Sequence, residues 1–101
     1  MVSRRSPVRA RLLGDLGENI RRWRKLQGMS ASQLAERAYI TRETLRHIEN
    51  GTGSPRLDSV MAVLSVLGIA ETVVRSVDPF NSAAGRALMD EQIAVTREAG
   101  R

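Results

Sequence analysis

The stretch MSASQLAERAYITRETLRHIENG, Met29 to Gly51, decides how this chain folds. Ser30 followed three residues later by Gln33 is a capping box, in which each side chain satisfies an orphan backbone group at a helix start. Leu34, Ala35 and Ala38 then recur at helical spacing as a narrow inward face, and Ala35 is small enough for another helix to cross closely. The pattern breaks at Tyr39 and Ile40. Thr41 is a good N-cap for a second helix with inward positions Leu45 and Ile48, leaving Arg42, Glu43, Thr44, Arg46 and His47 on its other sides. Asn50-Gly51 stops that helix, and Thr52, Gly53, Ser54 and Pro55 form the next loop.

Working outward, the preceding helix is expected to begin near Asp15, with Glu18 completing a capping box, and to turn Leu16, Ile20, Trp23 and Leu26 into the core. Before it, MVSRRSPVRAR lacks periodicity and carries Arg4, Arg5, Arg9 and Arg11, so residues 1–11 read as a flexible basic arm. Such an arm either lies along phosphates, enters a minor groove or is simply a loose terminus. After Pro55, Leu57, Val60, Met61, Leu64 and Leu67 predict another helix, which Gly68 ends. Ala70 to Val77 predicts a short helix broken by Asp78-Pro79, because proline restricts the residue before it and cannot continue a helix. Ser82 or Asn81 then caps a final helix to about Ala99. In it Ala84, Leu88 and Val95 share a stripe, with Met89 and Ile93 beside it. That is too much apolar surface for an isolated helix, so it packs on its own domain or on the same helix of a second subunit. The reading is an all-α chain with an arm over 1–11, a compact domain over 12–69 and a helical extension over 70–101.

Composition agrees with a small binding domain. One core is what 101 residues allow, and 42% hydrophobic content with few aromatics suits helices packed through Leu, Val, Ile and Ala. The absence of cysteine excludes disulfides and thiolate chemistry and fits a reducing cytoplasm. No apolar run approaches the ~18 residues of a membrane span, and no signal-peptide core follows the basic start, so the expectation is a soluble cytoplasmic chain without a membrane partner. Charge is uneven: residues 1–28 carry +6, residues 29–57 carry +1 and residues 58–101 carry −2, within a net +5. That distribution either orients the chain on a polyanion or is a solubilising surface. Catalysis finds no support. His47 is the single histidine, no carboxylate cluster accompanies it, and the scattered glycines make no phosphate-cradling loop, so no catalytic, metal or cofactor site is expected.

The run from Leu16 to Ile69 resembles the five-helix DNA-binding domain of the phage repressor and Cro family, the XRE-type helix-turn-helix. The matching segments LGENIRRWRKLQGMS, QLAERA, TRETLRHIENG, SPRLDSV and VLSVLGI stand in the family's order and nearly its spacing, over just more than half the chain. The resemblance implies a lambda-repressor-like fold with an additional C-terminal helix, and a buried salt bridge between Arg24 and Glu49. It implies that Arg42, Glu43 and His47, with Arg46 on the same outward face, touch bases in the major groove. Arginine can grip guanine O6 and N7, and glutamate can accept from cytosine N4. Thr44 and Asn50 match phosphate contacts, and Arg56 matches an arginine at the minor groove or backbone. The bland alternative for Glu43 is an intrahelical pair with Arg46 or His47, at i,i+3 and i,i+4. Arg21, Arg22 and Lys25 either reach the backbone or form a solvated basic face. Two departures stand out. The family's usual glutamine is replaced by Ala31, which leaves its phosphate contact missing or taken by Ser32, and the usual turn glycine is replaced by Tyr39, which implies a strained or differently built turn.

Three functions are compatible with these residues. The leading one is a transcriptional repressor that binds double-stranded DNA as a homodimer on a two-fold symmetric operator. The second is a Hip-type antitoxin that represses its own operon and binds a toxin partner, an idea carried by small size and the extension DPFNSAAGRALMDEQ. The third is a protein-binding module that kept the fold without DNA binding.

Overall fold

The computed structural model describes residues 6–100, and these form six α-helices joined by short turns: α1 (Pro7–Leu26), α2 (Ala31–Arg37), α3 (Arg42–Asn50), α4 (Leu57–Leu67), α5 (Ala70–Ser76) and α6 (Ala83–Ala99), with a single 3-10 turn at Pro79–Asn81. The chain divides into two compact units between Ile69 and Ala70. The first holds α1 to α4; the second holds α5, the 3-10 turn and α6.

Helix α1 starts eight residues ahead of the expected Asp15 boundary. Ser6 caps it by accepting from the Arg9 backbone N–H at 3.1 Å, and Pro7 sits at the first helical position, where its missing N–H costs nothing. Arg9 and Arg11 therefore stand on a helix, while Arg4 and Arg5 of the expected arm lie outside the described residues. The inward face of α1 is also rotated from the expected one. Gly17, Ile20 and Arg24 are its buried residues, whereas Leu16 and Trp23 are 40% and 44% exposed and Leu26 is 81% exposed. At about 100° per residue, Trp23 lies well to the side of a face centred on Gly17, Ile20 and Arg24, and Leu26 lies nearly opposite. Two features turned the helix this way: Arg24 is drawn inward by an acidic partner, and α3 crosses against Gly17. A Cβ at Gly17 would overlap the backbone carbonyl oxygens of Ile48 and Glu49.

Four successive helices end in the same closure. The N–H just past the left-handed residue at each helix end returns to a carbonyl five residues back: Met29 to Arg24, Ile40 to Ala35, Thr52 to His47 and Ile69 to Leu64, each at 3.0–3.1 Å. That closure needs a left-handed residue, supplied by Gly28, Gly51 and Gly68 at three ends and by Tyr39, φ 55°, at the end of α2. The turn is thus ordinary in hydrogen bonding and strained at its one non-glycine.

Ile20, Leu34, Leu45 and Val63 form the fully buried centre, one from each helix of the first unit. Val63 replaces Leu57 among the expected core positions of α4; Leu57 opens that helix and is 76% exposed. Gln27 closes the far end by donating Nε2 to the Leu67 carbonyl at 2.9 Å. In the second unit Ser82 caps α6 by accepting from Gly85 N–H at 2.8 Å, and α6 buries none of its residues. No single helix among the described residues is long and apolar enough to cross a membrane.

Gly17→Ala is expected to cost about 1–3 kcal/mol or more, because overlap with rigid backbone can be relieved only by parting α1 from α3. Tyr39→Gly is expected to raise stability by up to about 1 kcal/mol, the relieved strain being partly offset by a freer unfolded chain. Chemical denaturation midpoints check both.

Candidate nucleic-acid interface

Helix α3 is mounted on α1 by charge. Arg24 donates Nε to Glu49 Oε2 at 2.8 Å and Nη2 to Glu49 Oε1 at 3.0 Å, and its third nitrogen, Nη1, reaches the Met29 carbonyl at 3.1 Å. The two residues are 9% and 5% exposed. The fork-on-fork hydrogen bonding to Glu49 raises the Arg24 pKa above its ordinary value, against the opposing effect of burial. Arg21, one turn earlier, extends the bridge: Nη1 to Glu18 Oε2 at 3.0 Å, Nε to Glu49 Oε1 at 3.5 Å and Nη2 to Asn50 Oδ1 at 2.7 Å. The spacing of Arg21 and Arg24 at i,i+3 is a sequence signal for that second role, which neither a DNA-backbone contact nor a solvated basic face anticipates for Arg21.

The opposite side of α3 carries the polar face. Thr41 caps the helix, accepting from Thr44 N–H at 3.0 Å and donating to Thr44 Oγ1 at 3.0 Å, so the Thr44 hydroxyl is held at the helix start. Glu43 Oε1 accepts from Arg46 Nη2 at 2.6 Å and faces His47 Nε2 at 3.2 Å. The hydrogen bond from Arg46, with its charge, holds the Glu43 carboxyl below the usual carboxylate range. His47 is half-buried, its Nδ1 lying 2.9 Å from Thr52 Oγ1. Both intrahelical pairs weighed as the bland alternative are therefore present. Arg42 is exposed and its side chain makes no hydrogen bond or ion pair among the described residues.

Two cationic side chains on an exposed, capped helix, fixed from behind by a buried ion pair, coincide with a family match. The helix-turn-helix family model matches residues 20–74, more than half of the chain. The chain belongs to the XRE-type helix-turn-helix family. It is a DNA-binding transcriptional regulator of that type, and the family is a regulatory rather than an enzymatic one. Neither the curated proteins nor the solved structures include a match to the chain.

In this XRE-type domain α2 and α3 are the helix-turn-helix pair. Arg21, Ala31, Arg42, Glu43, Arg46 and Asn50 line a shallow cleft between α1, the start of α2 and α3, with Ala31 leaving open the place of the family's glutamine. Ser32, beside Ala31, is exposed and its hydroxyl is uncommitted among the described residues. Asn50 gives its amide oxygen to Arg21, which leaves both amide hydrogens free to donate. Arg56 stands apart from the cleft, exposed at the N-cap of α4 with no side-chain hydrogen bond there. The geometry thus gathers Arg42, Glu43, Arg46 and Asn50 at one cleft, pins His47 to the following loop, and leaves Arg56 separate. Sequence reading did not pick out Thr52, whose hydroxyl anchors His47.

Glu49→Gln should destabilise the first unit by roughly 3–5 kcal/mol, because Arg24 would stay buried facing a neutral amide. Urea unfolding monitored by circular dichroism checks this. A loss below about 1 kcal/mol would mean that the bridge is not what fixes α3.

Proposed function

We propose that the chain is a repressor that binds a two-fold symmetric operator as a homodimer, with α3 in the major groove of each half-site. The observation that carries this is the pairing of an uncommitted Arg42 in the first turn of α3 with a buried bidentate bridge at that helix's far end. Reading a base edge requires a donor pair held to within a fraction of an ångström, and the bridge supplies that rigidity.

Within this reading Arg42 takes guanine O6 and N7, and Glu43, Arg46 and His47 complete the groove-facing set. Asn50, with its oxygen tied to Arg21, offers donors to a phosphate, as do Ser32 and Thr44 through their hydroxyls. Arg56 serves the flanking backbone or minor groove. Phosphate contacts set register without carrying sequence information.

Dimerisation is assigned to α6. Leu88, Ile93 and Val95 are 65%, 51% and 55% exposed, and an amphipathic helix of that apolarity is marginal in water without a partner surface. A second copy is the occupant that a symmetric operator calls for, with half-sites roughly 34–36 Å apart.

A gel shift on DNA upstream of the chain's own gene tests the central reading. Sequence-dependent, salt-sensitive retardation is expected, and its absence at low salt sinks the proposal. Arg42→Ala should lose roughly 1–3 kcal/mol of discrimination at one base-pair position, whereas Arg56→Ala should weaken all duplexes alike and lower the salt slope by about one. Equal loss on operator and random DNA from Arg42→Ala contradicts its role. Leu88→Glu should convert a dimer into a monomer in analytical ultracentrifugation; an unchanged sedimentation coefficient removes α6 as the interface.

A further inference from the structure

Glu43 is the exposed carboxylate of α3, standing among the side chains assigned to the groove, where a negative charge opposes the phosphates of any duplex. One of its oxygens, Oε1, serves two neighbours, Arg46 Nη2 at 2.6 Å and His47 Nε2 at 3.2 Å, and Oε2 accepts no hydrogen bond among the described residues. The His47 ring is not free to leave this arrangement. Its Nδ1 is held by Thr52 Oγ1 at 2.9 Å, and the ring packs so closely on Gly53 that a Cβ there would lie 2.9 Å from Nδ1. With Nε2 facing a carboxylate, that nitrogen carries the hydrogen, and in the neutral ring Nδ1 accepts from the Thr52 hydroxyl. Arg46 and Glu43 cancel each other's charge, so Arg42 alone of the two arginines of α3 meets an arriving polyanion uncommitted.

We infer that Glu43 is a specificity gate, which engages Arg46 and His47 in the free protein and withholds them from arbitrary duplexes. It yields them where a base edge offers an amino hydrogen, such as that of cytosine or adenine, to the free carboxylate oxygen. This rests on the DNA-binding reading above. The gate opens cheaply at a correct site, because exposed pairs at i,i+3 and i,i+4 are individually weak. At a wrong site the carboxylate gains no donor and stays repelled by phosphate, which is discrimination by a repulsive element rather than by an added attraction.

The test uses the full chain, a mixed-sequence duplex of about 30 base pairs, and a duplex enriched by the wild-type chain from a randomised pool. Glu43→Ala is compared with Glu43→Gln and with Glu36→Ala, which removes the same charge from an exposed site on α2 whose side chain has no partner among the described residues. Glu43→Ala should bind the mixed duplex on the order of tenfold more tightly, since it removes a carboxylate that phosphate repels and leaves a guanidinium free for a charge-assisted contact to phosphate. Its salt slope should steepen by about one unit, and its preference for the enriched duplex should shrink. Glu43→Gln should fall between wild type and Glu43→Ala, and Glu36→Ala should shift both duplexes alike with the slope unchanged. Weaker or unaltered binding of the mixed duplex by Glu43→Ala, or behaviour matching Glu36→Ala, overturns the gate. If the wild-type chain binds no duplex at low salt, the DNA-binding reading falls and the gate with it; if it binds and only the Glu43 result fails, the gate alone falls. Both substituted sites are exposed, and an unchanged circular dichroism spectrum of the three variants confirms that the fold is retained.

Discussion

The buried ion pair between Arg24 and Glu49 is the constraint on which the rest of the first unit depends. Two charges taken out of water are tolerated only when each is fully matched, and here the guanidinium spends three nitrogens on two carboxylate oxygens and the Met29 carbonyl. Meeting that demand sets the rotation of α1, which then presents Gly17 and Ile20 to α3 and turns Trp23 and Leu26 away. It also fixes the C-terminal end of α3, which with Leu45 buried leaves Arg42, Glu43 and Arg46 exposed on a held helix. A reading helix held from behind with its polar face open is what the assigned function requires.

The exposed side of α3 has a different character. Its ion pairs are exposed and individually weak, so they organise side chains without locking them. Arg21 links the two regimes, because it touches the buried Glu49 on one side and orients the Asn50 amide on the other. The open cleft beside Ala31 sits at that junction. Where the family's usual glutamine would reach across, this chain has Arg21, Arg42 and Arg46 around an uncovered space.

Much of the fold was legible because local chemistry and tertiary packing agree over Ser30 to Gly51. The capping box at Ser30, the Thr41 cap, the inward Leu34, Leu45 and Ile48 and the stop at Gly51 all follow from spacing alone and all appear in the structure. The errors sit where they disagree. Ser6-Pro7 starts a helix inside a stretch with no apolar periodicity, and Trp23 is apolar yet sits on a helix that a charged neighbour turns. Val63 lies beside the stripe through Val60, Leu64 and Leu67, which by spacing already accounts for one face of α4. For the candidate site, the residue types on the outward face of α3 were readable, while the sharing of one Glu43 oxygen between Arg46 and His47, and the anchoring of His47 by Thr52, were not. Those depend on rotamers and on the path of the loop after α3.

The sequence by itself determined the succession of helices, the Ser30 and Thr41 caps, the family and the identity of the side chains that α3 exposes, since each of these rests on neighbours within one or two turns. Tertiary structure alone decided which face of α1 is buried, that the end of α2 closes on a strained Tyr39, and which of the exposed cations are already committed. The physical reason is range. Caps and periodicity are written in contacts a few residues apart, whereas Arg24 with Glu49 and Arg21 with Asn50 bring together groups separated by 25 and 29 positions, and only the packed chain fixes their distances.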